Sequence, residues 1–87
     1  MDEPMALVAL ARNNFYNGKI DEAHGRLEDA LRLVPDMFEA RLLQAEFSVE
    51  ESRFDDARRE LDALLSGPTM PPWIRNFAEE LLKRIPK

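Results

Sequence analysis

The stretch Gly18-Lys19-Ile20-Asp21-Glu22-Ala23 returns 34 residues later as Ser52-Arg53-Phe54-Asp55-Asp56-Ala57. In each copy a turn-forming residue precedes a base, a large apolar residue, two acids and an alanine. Two acids directly after a turn mark the start of a helix, because the unpaired N–H groups of its first turn favour negative charge. Asp21 and Asp55 are the expected N-caps. Asn17-Gly18 is a turn signal that stops the preceding helix.

Outward from this stretch, residues 4–35 align with residues 38–69 without a gap. Six positions are identical: Ala6/Ala40, Ala11/Ala45, Asp21/Asp55, Ala23/Ala57, Leu27/Leu61 and Leu31/Leu65. Apart from the capping aspartate they are small or apolar and recur at helical spacing, which is what two stacked helical hairpins require. Alanine lets helix backbones approach closely and leucine fills the space between them. Proline and glycine complete the punctuation. Pro4, preceded by Asp2 and Glu3, fits a first helical position, Pro35 ends the second helix, and Asp36 is placed to cap a third that runs to about Glu51. A fourth helix ends near Ser66-Gly67, GPTMPP is a loop, and Pro72 opens a fifth helix closed by Pro86, with Lys83 and Arg84 in its last turn. No segment alternates with period two, so no strand is expected.

At about 100° per residue, the third helix separates into sectors. Phe38, Leu42, Ala45 and Val49 form one apolar flank, and Ala40, Leu43 and Phe47 lean to a second. Glu39, Glu46 and Glu50 lie between them as an acidic strip, with Arg41 and Ser48 opposite. One apolar stripe means one neighbour; two flanks mean two, which suits the middle of a stack. If one residue is deleted in the loop, the fifth helix aligns as another first helix. Trp73 then falls with Ala6 and Ala40, Ile74 with Leu7, and Ala78 with Ala11 and Ala45. On that alignment Trp73 is a core or capping residue.

A helix–turn–helix unit of 34 residues, with Gly18 to Ala23 at its turn, Ala30-Leu31 in its second helix and Pro35 at its end, resembles the tetratricopeptide repeat. The second unit keeps Phe54, Asp55, Ala57, Leu61 and Leu65 but has Ser52 for the turn glycine and Thr69 for the proline. The resemblance implies an all-α fold, antiparallel helical hairpins stacked as a short right-handed α-solenoid of five helices. It forms a single domain over residues 1–87, with repeats over about 4–35 and 38–69 and a capping helix over about 72–85. It further implies a non-catalytic protein-interaction module whose concave groove, lined by the first helix of each hairpin, holds a peptide segment or partner helix. The implied lining is Met5, Val8, Ala9, Arg12 and Tyr16, then Glu39, Leu42, Leu43, Glu46 and Glu50, then Arg75, Asn76, Glu79 and Lys83. Val8, Leu42 and Leu43 are expected as an exposed apolar floor rimmed by acids in the middle and bases at the edges. That lining complements apolar anchors with basic residues. One subclass of the family grips the C-terminal carboxylate of chaperones with Lys, Asn and Arg. Here Val8, Arg12 and Leu43 stand where Lys, Asn and Asn are expected, which argues against that role.

Composition narrows the remaining functions. The net charge of −5 argues against nucleic acid. It is uneven: residues 36–69 hold nine acids and four bases, whereas residues 70–87 hold two acids and four bases. No apolar run approaches the roughly 20 residues of a membrane span, and the acidic start is unlike a signal peptide. With no cysteine the reading is a cytoplasmic protein without thiolate chemistry. His24, the only histidine, has Glu28 one turn on, too few ligands for a metal site. No phosphate loop, calcium loop or activated serine is legible, so no cofactor and no catalysis are expected. The rival reading is a structural unit that self-associates as a homodimer or within a larger assembly, its acidic middle pairing with its basic end.

Overall fold

Pro4, Phe38 and Pro72 each open a helix, at intervals of 34 residues. The computed structural model describes residues 3–67 and 69–86, and among these it contains five helices and no strand. They are α1 (Pro4–Tyr16), α2 (Ile20–Leu33), α3 (Phe38–Glu50), α4 (Phe54–Leu65) and α5 (Pro72–Arg84). Asp2, Pro68 of the expected loop, and Lys87 lie outside the described residues.

The two hairpin turns repeat bond for bond. The Lys19 N–H donates to the Asn14 carbonyl at 2.8 Å, and the Arg53 N–H to the Ser48 carbonyl at 2.8 Å. Gly18 N–H reaches Phe15 O and Ser52 N–H reaches Val49 O in the same way. This bonding satisfies carbonyls orphaned at the helix end and needs one left-handed residue. Gly18 holds it at φ 84° and Ser52 at φ 60°.

The expected aspartate caps are displaced. Lys19, Met37 and Arg53 occupy the N-cap positions, without side-chain capping bonds. Ile20 and Phe54 are already helical, because their half-buried side chains pack on the core. Asp21 and Asp55 therefore sit inside the first turn, each beside a second acid, where the dipole still favours them.

Two apolar clusters hold the stack together. Leu7, Ala11 and Phe15 of α1 and Ala23, Leu27 and Ala30 of α2 pack with Ala40, Leu43 and Phe47 of α3. The other flank of α3, Leu42, Ala45 and Val49, packs with Ala57, Leu61 and Leu64 of α4 and Ile74, Ala78 and Leu81 of α5. The two flanks of α3 thus serve two neighbours, as their spacing indicates. The Phe15 and Phe47 rings stack at 4.1 Å between the hairpins. Antiparallel hairpins α1–α2 and α3–α4 stack as a short helical solenoid with α5 laid against α3 and α4. No described helix is long and apolar enough to cross a membrane.

Three expectations are overturned by burial. Leu43 is 0% exposed and Leu42 2%, so neither is an open floor: α3 has packed helices on both flanks, and consecutive positions about 100° apart fall into different cores. Replacing either with glutamate would break the fold rather than spare it. Trp73 is 54% exposed, not core or cap. It is the second residue of α5, while Ile74 and Ala78, buried like Leu7 and Ala11 of α1, do the burying. Ala6, its expected buried counterpart, is exposed.

Candidate protein-binding groove

Because α1 and α5 both touch α3 but not each other, a trough opens along α3 between them. Its volume is about 490 Å³, within the range of ligand-holding clefts. Met5, Glu39 and Trp73, each the second residue of its helix, line the end nearest the helix starts, and Val8 and Leu42 lie along the floor, with Ala9 beside them. Arg12, Asn13 and Tyr16 of α1 complete the lining. Val8 and Leu42 reach the trough only by an edge, since both are otherwise buried.

Beneath Arg12 and Tyr16 lies Glu46, a carboxylate only 2% exposed. The Tyr16 hydroxyl donates to its Oε2 at 2.5 Å, and Arg12 Nη1 donates to the same oxygen at 3.1 Å. Oε1 is also 3.1 Å from Nη1 but lies off the N–H direction and accepts no hydrogen bond. A buried charge persists only when paired and hydrogen-bonded, and here both partners reach across from α1. Burial, then the bond to Glu46, push the Tyr16 pKa far above the usual tyrosine value, with the charges of Glu46 and Glu50 adding to the rise and Arg12 opposing it. Tyr16 therefore stays protonated as a donor. Further along, Glu50 pairs with Arg84 at 3.5 Å.

The acidic strip is thus not a free surface. Glu46 and Glu50 are ion-paired, whereas Glu39 has no ion pair among the described residues. Of the expected site residues, Val8, Arg12, Tyr16, Glu39 and Leu42 come together in the trough. Leu43 is in the first core, Glu46 lies under the lining, and Glu50, Arg75 and Glu79 face solvent outside it. Asn13 and Trp73 were not expected. The one-residue deletion brings Ala78 level with Ala11 and Ala45, all fully buried, and Trp73 level with Ala6, which is exposed as Trp73 is.

His24 and Ser48 have structural partners. His24 Nε2 meets Glu51 Oε1 at 2.7 Å, with its ring against Phe47, and tethers α2 to the turn after α3. The described residues contain no group of three metal-ligating side chains. Ser48 donates to Glu60 at 2.8 Å. Burial raises the Glu60 pKa and Asp56 adds to the rise, while the Ser48 bond, Arg53 and Arg59 oppose it.

The sequence model of the tetratricopeptide repeat matches residues 8–71. The chain belongs to the tetratricopeptide-repeat family. No curated protein and no solved structure gives a significant match. Tetratricopeptide repeats generally mediate protein–protein interaction, and the family is typically non-catalytic. In this tetratricopeptide-repeat chain the first helices of the hairpins, with α5 taking the place of a third, line the trough.

Proposed function

We propose that the chain is a non-catalytic adaptor that captures a protein partner by an apolar segment carrying a basic residue, seated in the trough between α1, α3 and α5. The observation that carries this reading is the open, mainly apolar trough flanked by two large exposed side chains, Met5 and Trp73. Such side chains stay in water at a cost of about 25 cal/mol per Å² of apolar surface, which a docked segment recovers. Charge supports the same partner: Arg12 is matched by Glu46, which leaves Glu39 as the unmatched charge of the lining, within the acidic middle of the chain. Ala9 supplies the test, because it is exposed and lines the trough. Immobilised chain should retain a partner from lysate of the source cell, and Ala9→Glu should lose that partner while melting at the same temperature. Retention unaffected by Ala9→Glu places the contact elsewhere.

Self-association is the second reading. Leu10, Leu33 and Val34 are exposed outside the trough, and a homodimer would cover them. Light scattering at micromolar concentration decides it, because a clean monomer removes this reading.

A further inference from the structure

Trp73 is not needed to close the stack. The apolar residues of α5 that pack on α3 and α4 are Ile74, Phe77, Ala78, Leu81 and Leu82; the indole stands apart, more than half exposed, on the trough side. Glu39 lines the same end of the trough. The dipole of α3 accounts for an acid in its first turn, but not for an exposed indole lining the same trough from the neighbouring helix. An indole and an unmatched carboxylate lining one space are the two features that recognise an organic cation: the ring quadrupole attracts its charge, and the carboxylate pairs with it. The apolar lining beside them accepts the methylene stem that Lys and Arg carry behind the charge.

We infer that the Met5–Glu39–Trp73 end of the trough is a subsite for one Lys or Arg side chain of the partner, its charged head between Glu39 and the Trp73 indole and its stem along Met5. The inference rests on the proposed segment-binding trough and fixes where along it the basic residue lies. Arg12 at the other end is held by Glu46, so the trough has a direction: base toward the helix starts, apolar anchors over Val8 and Leu42.

A displayed library of random dodecapeptides, selected on the intact chain, tests it. The expected result is enrichment of peptides that hold one Lys or Arg at a fixed distance from apolar residues, whose binding Ala9→Glu abolishes. Synthetic copies should quench or shift the emission of Trp73, the single tryptophan. Glu39→Gln should weaken them about fivefold, and Trp73→Leu, which keeps an apolar surface but removes the ring, by a similar factor. Both variants should erase the preference for Lys over Gln in the peptide, with melting unchanged. Enriched peptides that Ala9→Glu abolishes but that lack a basic residue, or that bind Glu39→Gln as tightly as the parent, overturn the subsite and leave the trough reading standing. Failure to enrich any peptide sensitive to Ala9→Glu overturns both.

Discussion

The two hairpins share a backbone and differ in how comfortably their residues occupy it. In the first, the left-handed turn position is Gly18; in the second it is Ser52, at φ 60° and with the same flanking hydrogen bonds. A side chain there costs about 1–2 kcal/mol that glycine avoids. The polar pair between the helices differs too. Ser48 donates to Glu60 in the second hairpin, whereas the equivalent Asn14 and Arg26 of the first each keep a buried nitrogen without a hydrogen-bond partner. Each hairpin is thus better made at one place and worse at another. The equivalence of the repeats resides in the apolar positions and the turn bonding, while the polar chemistry is free to diverge.

The apolar equivalence can be broken most forcefully at Leu27 and Leu61, which occupy the same position and are both buried. Leu27→Ala and Leu61→Ala should each cost about 2–5 kcal/mol in urea unfolding. A large loss at one and none at the other would show that only one hairpin has a cohesive interior. Next in size, Gly18→Ala should destabilise by about 1–2 kcal/mol, seen as a lower urea midpoint with unchanged slope. An unaltered midpoint would mean that the turn relaxes away from its left-handed geometry. In the opposite direction, Ser52→Gly should stabilise by about 0.5–1 kcal/mol, the relief of backbone strain being partly offset by the greater freedom of glycine in the unfolded chain. A loss of stability would contradict the strain at this residue.

The smallest expected effect belongs to Glu60. Its folded pKa is raised by burial, so between the ordinary carboxylate value and the raised one the folded chain binds more protons than the unfolded chain. The contribution of Glu60 to stability therefore falls as pH rises through that window and stays reduced above it. Glu60→Gln retains an acceptor for Ser48 but removes the titration. It should melt slightly higher than the parent at neutral pH, and the gap should close in acid below the window. A gap that widens in acid would reverse the assignment. Arg26 fills the equivalent place in the first hairpin, so no carboxylate titrates there.

What was legible follows from local physics. The 34-residue period, the prolines at α1 and α5, and the two flanks of α3 are written in short-range spacing of apolar and helix-ending residues. What was not legible depends on chain brought in from elsewhere. Glu46 reads as one of three solvated acids until Arg12 and Tyr16, on another helix, close over it. Leu42 and Leu43 read as an open floor because the spacing does not say how far the neighbours of α3 wrap around it. Trp73 reads as core because its counterparts Ala6 and Ala40 are small, but Ala6 is itself exposed: a small side chain marks either a close helix contact or an open surface.

The two ion pairs that cross the trough side, Arg12 with Glu46 and Glu50 with Arg84, each join residues 34 apart but run in opposite senses. The base lies on the earlier helix in the first and on the later helix in the second. If α3 slid along its axis by one turn, about 5.4 Å, in either direction, a glutamate could keep a basic mate only by stranding its sibling. The pairs thereby act as index marks for the sliding coordinate of the stack, the first set on a buried carboxylate and the second at the surface.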